Sequence, residues 1–275
     1  MENRLHFENP SVYKRLKGML GVDFYRLFHT PLYYIFLIIA AVIPAMILGT
    51  GGMENPQTGE VGALLYTNVW NAVAADTPLY VFGHIGEYAN MNMVFIFGGI
   101  MVSIFIGHDY RSGYVKQLFT THAKKVDYML SKTISCAFAM ATMCLTYLAG
   151  AVLAGGLTGL DFSVNYGSLL IALLSKMVMS LGWASLYTFL NVILRKKFGV
   201  SIGASFFFGT GILVIGAAAA LGNGSVLNVF LYGSSVYACL SSTPVTLLVC
   251  AACSGAWTVI YNLLGTAILS RSDVY

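Results

Sequence analysis

Residues Val200–Leu221 read VSIGASFFFGTGILVIGAAAAL, a run of 22 residues without a charged side chain. A transmembrane helix needs about 20 apolar residues, at about 1.5 Å each, to cross about 30 Å of hydrocarbon. The apolar residues are continuous and do not alternate with period two, which favours helices over barrel strands. The sequence contains six long apolar runs, which predict six spans: Leu32–Gly49, Met91–Gly107, Leu130–Gly155, Gly167–Leu194, Val200–Leu221 and Val245–Leu269.

The composition of the whole chain agrees with a membrane protein. Hydrophobic residues make up 57% of the chain and charged residues 9%, whereas about a quarter of the residues of a soluble domain are charged. We therefore expect an all-α integral membrane protein that forms a single transmembrane domain over residues 1–275. The net charge of +4 indicates attraction to a membrane surface and not nucleic-acid binding.

The basic residues are concentrated in alternate gaps between the six runs. Of the 15 Lys and Arg residues, all except Lys176 lie at the termini, in every second gap or, for Lys132, at the start of the run that follows such a gap: Arg4, Lys14, Arg15, Lys17 and Arg26; Arg111, Lys116, Lys124, Lys125 and Lys132; Arg195, Lys196 and Lys197; and Arg271. The remaining gaps, which are the predicted outer segments, contain no basic residue, and their charged residues are Glu54, Glu60, Asp76, Glu87 and Asp161. Cytoplasmic loops of membrane proteins carry the excess of Lys and Arg, so both termini are predicted to be cytoplasmic.

Residues 10–31, before the first run, have an amphipathic helical pattern. Apolar residues recur at helical spacing (Val12, Leu16, Leu20, Phe24, Leu27 and Phe28), with cations on the other side (Lys14, Arg15, Lys17 and Arg26). This pattern predicts an interfacial elbow helix whose apolar side faces the membrane and whose cations face anionic headgroups. Pro31 is expected to end that helix and redirect the chain into the bilayer. The site residues of this elbow are Arg15, Phe24, Arg26 and Phe28.

The link between the second and third runs contains a second short amphipathic segment, over residues 109–121. Val115, Leu118 and Phe119 form an apolar side with polar residues around it. A helix of this kind is suited to a groove on a cytosolic partner. The alternative is an ordinary basic loop, and composition alone does not separate the two.

The same link resembles the intracellular signature of the type-2 permease family of ATP-binding-cassette (ABC) transporters. The matching positions are Asp109, Gly113, Val115-Lys116, Lys124-Lys125 and Ser131-Lys132. The segment Asp23–Phe28 is also similar to the family's amino-terminal helix, which is common in permeases of Gram-positive bacteria. The chain departs from the family pattern with Asp109 in place of Glu, Tyr114 in place of Thr, and Lys124-Lys125 in place of Ser-Arg.

The resemblance implies a dimeric permease in the plasma membrane of a bacterium, with a second copy of this chain as partner. It also implies a coupling helix over 109–121 that docks on a separate ATPase subunit, present in two copies, which binds ATP and Mg. The coupling residues are Asp109, Tyr110, Arg111, Gly113, Val115, Lys116, Leu118 and Phe119. This chain contains no Gly-x-x-x-x-Gly-Lys-Ser/Thr motif, so we expect it to bind no cofactor and to have no catalytic or metal site of its own.

Two further segments bear on the mechanism. A cation in the middle of a bilayer costs about 2.5–3.5 kcal/mol on insertion scales, so Lys176 has two interpretations. Either it extends to the outer interface, which we favour, or it faces a cavity and contacts an anionic part of a cargo. Residues 222–244 contain no charge and resemble the family's re-entrant outer hairpin.

Three functions remain open from the sequence. The first is the permease subunit of an ATP-driven exporter for a hydrophobic or amphipathic cargo, with a small peptide toxin, bacteriocin or antimicrobial compound as the expected cargo. The second is a non-transport immunity or sensing subunit. The third is an ion-coupled secondary transporter, for which intramembrane carboxylates or broken, repeat-related helices are expected, and the sequence pattern predicts neither.

Overall fold

The computed structural model describes residues 11–50, 92–120, 123–158, 166–195, 197–221, 229–240 and 243–271. The regular secondary structure of these residues is entirely helical. It consists of α1 (Val12–Phe28), α2 (Pro31–Thr50), α3 (Met93–Arg111), α4 (Tyr114–Thr120), α5 (Lys125–Thr158), α6 (Tyr166–Ile193), α7 (Phe198–Gly209), α8 (Ile212–Leu221), α9 (Leu231–Leu240) and α10 (Pro244–Arg271). The predicted outer segment between the first two runs lies outside the described residues.

Four of these helices, α3, α5, α6 and α10, are long and apolar enough to cross a membrane. Helices α1 and α2 also meet that criterion as a pair, but they are bent by 65° between Phe28 and Pro31. The described residues confirm the predicted all-helical class, and their four or five long apolar helices are consistent with a membrane protein. Six spans remain a prediction.

Helix α6 lies at the centre of the bundle and packs against α3, α5, α7, α9 and α10. The Trp183 ring is stacked between Phe95 and Tyr187, with ring centroids 5.5 and 5.6 Å away. The Tyr187 hydroxyl donates to the carbonyl of Phe95 at 2.9 Å. These large rings fix the distance between α3 and α6, because aromatic side chains bury a large area with a defined packing geometry.

A buried polar seam joins α3, α6 and α7. The amide nitrogen of Asn191 donates to Ser103 Oγ at 3.1 Å, and Ser103 Oγ lies 2.8 Å from Ser205 Oγ. Ser201 Oγ donates to the amide oxygen of Asn191. Because lipid tails provide no hydrogen-bond partners, such side-chain bonds help to associate helices in a membrane.

The predicted fifth span, Val200–Leu221, is interrupted in the structure and is not one continuous helix, and whether it crosses the membrane stays a prediction. Helix α7 ends at Gly209 and α8 begins at Ile212, with a turn at Thr210 and Gly211 between them. Gly211 has a φ of +69°, a left-handed conformation that glycine adopts without the steric penalty of a Cβ atom. The Tyr232 ring packs against this turn, since a Cβ on Gly211 would lie 2.3 Å from Tyr232 Cδ2.

Helices α1 and α9 lie within the predicted elbow and the predicted re-entrant hairpin, respectively. The predicted elbow over 10–31 contains α1, which begins after Ser11 and ends at Phe28, and Pro31 is the first residue of α2. The predicted re-entrant hairpin over 222–244 lies partly outside the described residues, and its described part contains α9. The interfacial position of the elbow and the re-entrant path of the hairpin stay predictions.

Candidate functional site

Four charged side chains form a buried ion network, defined here as Asp23, Arg26, Asp109 and Lys132. The ammonium of Lys132 lies 2.5 Å from Asp23 Oδ1 and 2.6 Å from Asp109 Oδ2. The guanidinium of Arg26 pairs with the other oxygen of Asp109. Lys132 and Asp109 are both 0% exposed. With two carboxylates and two cations, the network is electrically balanced.

This charge balance explains how the network tolerates burial. An ionised group loses several kcal/mol of hydration when it is buried, and only close pairing and hydrogen bonds offset that loss. Ser131 Oγ adds a hydrogen bond of 2.6 Å to Asp23 Oδ2. The three helices that supply the four charges, α1, α3 and α5, are therefore held in one relative arrangement.

Two aromatic rings flank the cations of the network. The Lys132 ammonium lies 4.7 Å from the Phe105 ring centroid, and Arg26 Cζ lies 4.3 Å from the Tyr114 centroid. Both distances allow cation–π attraction. Burial, together with the nearby charge of Asp23, raises the pKa of Tyr114 above its ordinary value. The Tyr114 hydroxyl therefore stays neutral and adds no charge to the network.

Two further contacts extend this part of the molecule, which we call the charged end of the bundle. Arg15 Nε lies 2.8 Å from Asp127 Oδ2, which joins α1 to the start of α5. The Lys125 ammonium donates to the carbonyl of Leu269 at 2.6 Å, in the last turn of α10. A cation at the carboxyl end of a helix is stabilised by the unpaired carbonyls and the helix dipole.

The structure corrects the prediction that Arg15 and Arg26 face headgroups. Both pair with buried carboxylates of the bundle instead. Phe24 and Phe28, on the predicted membrane side of α1, pack against Phe138 with ring centroids 5.2 and 5.9 Å away. The physical reason is the presence of Asp109 and Asp127 within reach, since a buried carboxylate attracts a nearby guanidinium more strongly than screened surface charge does.

The predicted coupling segment over 109–121 is not a single helix. Asp109, Tyr110 and Arg111 belong to the last turn of α3, and α4 covers only Tyr114–Thr120. Gly113 separates the two helices with a φ of +74°. The guanidinium carbon of Arg111 lies 4.8 Å from the centroid of Phe198, and this contact connects α3 to the start of α7.

The apolar side of α4 faces the bundle, and this corrects the expectation that it presses into a groove on a partner. Val115 is 1% exposed and clusters with Tyr128, Met129, Val192 and Leu269. Leu118 and Phe119 pack against the same cluster. The opposite side of α4 is exposed at Lys116, Gln117 and Thr120. A partner at this helix would therefore contact polar side chains.

Lys176 is buried, at 1% exposure, and lines neither of the two cavities described below. The favoured expectation, an ammonium that extends to the outer interface, stays a prediction. The ammonium donates to Asn92 Oδ1 and, at 2.5 Å, to the carbonyl of Ser235. Lys176 thus joins α6 to the start of α3 and to α9. Its role toward a cargo stays a prediction.

An apolar cavity of about 250 Å³ lies among α6, α7, α8, α9 and α10, beside the Gly211 turn. We call it the aromatic cavity, and its rings include Trp183, Phe208, Phe230, Tyr232, Trp257 and Tyr261. Phe230, Trp257 and Tyr261 stack in series, with centroids 6.2 and 5.1 Å apart. The Trp257 indole donates to the carbonyl of Val229 at 2.8 Å. Among the described lining residues none is charged, so the cavity suits an uncharged apolar group.

The sequence expectations missed Asp23, Asp127 and Lys132 as parts of one site. The available signal was three aspartates, including Asp109, placed in segments that are otherwise basic. No group of His, Cys, Asp or Glu side chains in the described ranges has a geometry that could hold a metal ion.

Comparisons with known proteins do not identify the chain. No protein-family model matches it, and no curated protein matches it. What the molecule does must therefore be inferred from its residues and their geometry.

Proposed function

We propose that this chain is the membrane-spanning subunit of an ATP-driven ABC exporter. Two copies would form the permease, and a separate ATPase subunit, also in two copies, would dock on α4 and the charged end. The observation that carries the proposal is α4 itself. It is a short helix whose apolar side packs on the bundle. Its polar side is exposed, and it follows α3, which is long enough to cross a membrane.

Helix α4 is placed to transmit force into the bundle. Val115 contacts a cluster that contains residues of α5, α6 and α10, and Asp109, five residues before Tyr114, belongs to the ion network. Protein interiors are close-packed and have low compressibility. A push on the exposed side of α4 would therefore displace these helices together and would not be absorbed locally.

The aromatic cavity supports a hydrophobic or amphipathic cargo. Its volume of about 250 Å³ lies below the roughly 300–1,000 Å³ of pockets that enclose a drug-sized molecule. It is large enough for one apolar side chain or a segment of an acyl chain, and too small for a whole peptide. A small peptide toxin, bacteriocin or antimicrobial compound would insert one apolar group there during transport.

The proposed topology follows from the charge alternation. Six spans, with both termini and the charged end in the cytoplasm, place 14 of the 15 basic residues on the inner side of a bacterial plasma membrane. Nucleotide binding is assigned to the partner because the sequence has no Gly-x-x-x-x-Gly-Lys-Ser/Thr motif. The mechanism would be alternating access driven by closure of the two ATPases.

The test is co-purification of the full-length chain, expressed together with the products of its neighbouring genes. We expect a soluble ATPase that contains a phosphate-binding motif to co-elute in equal copy number with the chain. The double variant Lys116→Glu/Thr120→Arg changes the exposed side of α4 and should lose that ATPase, while the permease still elutes as a folded species.

The matched control is Lys17→Glu, which reverses an exposed cation on α1 at the same predicted membrane face. The control should retain the ATPase. If no ATPase co-elutes with the unmodified chain, the alternative of an immunity or sensing subunit is favoured. If the α4 double variant retains the ATPase as well as the control does, α4 is not the docking helix.

A further inference from the structure

A second cavity, of about 300 Å³, lies at the bend between α1 and α2 and against the end of α3. Its basic lining residues are Arg26, His29 and His108. No acidic side chain is among the described residues that line it. We propose that this cavity, which we call the elbow cavity, binds the phosphodiester headgroup of an anionic membrane lipid. The proposal depends on the chain lying in a membrane, and it does not depend on an ATPase partner.

Arg26 can serve the ion network and a ligand at the same time. One of its terminal nitrogens, Nη2, pairs with Asp109. The other, Nη1, is buried and has no hydrogen-bond partner within the described part of the chain. A buried donor without a partner loses free energy relative to one that is bonded. The guanidinium lines the cavity and its planar fork is suited to phosphate oxygens, so we expect Arg26 to turn Nη1 toward a bound phosphodiester.

His29 is held in a defined orientation beside Arg26. Its Nδ1 forms a hydrogen bond of 2.7 Å with the carbonyl of Tyr25, and its ring stacks on the Tyr25 ring with centroids 3.9 Å apart. Because that carbonyl accepts from Nδ1–H, Nε2 is the ring nitrogen left for a ligand, and it donates to a phosphate oxygen when the ring carries both protons. His108 approaches from α3 and is exposed. One guanidinium and two imidazoles thus bring polar nitrogens together from α1, from the α1–α2 turn and from α3.

The cavity changes from polar to apolar along α3, which favours a lipid over a free anion. His108 belongs to the polar side, whereas Ile104 and Phe105 line the apolar side, together with Leu32 of α2. Ile104 and His108 are four residues apart on one helix, which corresponds to about 6 Å along its axis. A lipid headgroup followed by the first carbons of an acyl chain has the same order of polar and apolar parts. Basic pockets between membrane helices on the cytoplasmic side bind anionic headgroups in this way.

The bend between α1 and α2 explains why the cavity exists. Thr30 Oγ1 donates to the carbonyl of Arg26 at 2.6 Å, and the Tyr34 hydroxyl donates to the carbonyl of Phe28 at 2.9 Å. These bonds occupy carbonyls at the end of α1, which have no partner within the helix. The 65° bend then leaves a space between the two helices, which Ile104, Phe105 and His108 of α3 also line.

The test is native mass spectrometry of the full chain in detergent, titrated with phosphatidylglycerol or with phosphatidylcholine of the same acyl chains. We expect phosphatidylglycerol to bind more tightly. The double variant His29→Ala/His108→Ala should weaken its binding by about tenfold or more, which corresponds to about 1.4 kcal/mol and is less than two hydrogen bonds to a charged group contribute. Both histidines are exposed and lie outside the ion network, so the variant should fold.

The matched control is Lys14→Ala/Lys17→Ala, which removes two exposed basic side chains of α1 that do not line the cavity. This control should bind phosphatidylglycerol as the unmodified chain does. A separate arm adds inorganic phosphate in excess and should displace no lipid, because free phosphate makes no contact with the apolar side.

Three results would overturn the proposal. They are equal binding of the two lipids, equal losses in the histidine variant and the lysine control, and displacement of the lipid by inorganic phosphate. The last result would show that the cavity takes a soluble phosphate. None of the three results bears on ATPase docking, so the lipid-binding proposal can be wrong while the proposed function stands.

Discussion

The charged end and the aromatic cavity are connected by α10 and are stabilised in different ways. On α10, Trp257 of the cavity and Leu269 of the charged end are about 18 Å apart along the helix axis. At the charged end, ionised groups pair at 2.5–2.8 Å. Around the cavity, the described lining is uncharged and stacked rings predominate. Ion pairs with fixed partners favour one arrangement, whereas apolar contacts are non-directional and tolerate repacking. The charged end is therefore suited to transmit a displacement, and the cavity to change its shape.

The largest effect in this comparison should come from Lys132→Met, which removes the central cation of the network. Asp23 and Asp109 would then remain buried without their shared partner. Breaking a buried ion pair in this way costs about 3–5 kcal/mol. The free energy of unfolding in detergent, followed by tryptophan fluorescence during denaturant titration, would measure the loss.

The control for that variant is Lys124→Met, which removes an exposed cation near the same end and should change stability by less than about 0.5 kcal/mol. The double variant Lys132→Met/Asp23→Asn should regain part of the loss, since it removes the carboxylate that has lost its cation and leaves Asp109 paired with Arg26. Equal stability of Lys132→Met and Lys124→Met would show that the charged end does not depend on its ion network.

A smaller loss is expected from Gly211→Ala, at the turn beside the aromatic cavity. Alanine at a φ of +69° is strained by about 1–2 kcal/mol, and its Cβ would also displace the Tyr232 ring. The matched control is Gly216→Ala in α8, where a Cβ meets nothing within 4 Å and should stabilise the helix by up to about 1 kcal/mol. The midpoint of thermal unfolding of the two variants should therefore move in opposite directions. A downward shift of similar size in both would mean that the turn imposes no special constraint.

The smallest effect should come from Gly113→Ala, at the turn between α3 and α4. Its φ of +74° carries the same backbone strain, about 1–2 kcal/mol, but a Cβ at this position meets nothing within 4 Å. The same thermal measurement should place Gly113→Ala between Gly211→Ala and the unmodified chain. If Gly113→Ala is the more damaging of the two, packing around Gly211 contributes less than the structure indicates.

Hydrophobic patterning predicts the long helices because their length and composition are local properties. The run Leu130–Gly155 lies within α5, and Gly167–Leu194 overlaps α6 almost completely. The break in the fifth run was not predictable in the same way, since the residues on both sides of Thr210 and Gly211 are equally apolar. The left-handed turn is packed against Tyr232, a contact that no local pattern contains.

The candidate site was predicted less well than the fold, because its contacts join distant parts of the chain. Lys132 and Asp23 are 109 residues apart. The sequence pattern does not distinguish Lys132 from the other basic residues that are predicted to face the cytoplasm. The amphipathic pattern of α4 correctly indicates an apolar side at Val115. It does not indicate whether that side contacts another subunit or, as in the structure, the chain's own α5, α6 and α10.

The central claim is that the charged end faces the cytoplasm, where an ATPase can reach α4. The most direct test uses single cysteines in a cysteine-free version of the chain: Lys116→Cys and Lys197→Cys at exposed positions, and Glu87→Cys in the predicted outer segment. Each is labelled with a membrane-impermeant maleimide in right-side-out and in inverted vesicles. The account predicts that the first two react only in inverted vesicles and the third only in right-side-out vesicles. Labelling of Lys116→Cys and Lys197→Cys from opposite sides of the membrane would contradict it.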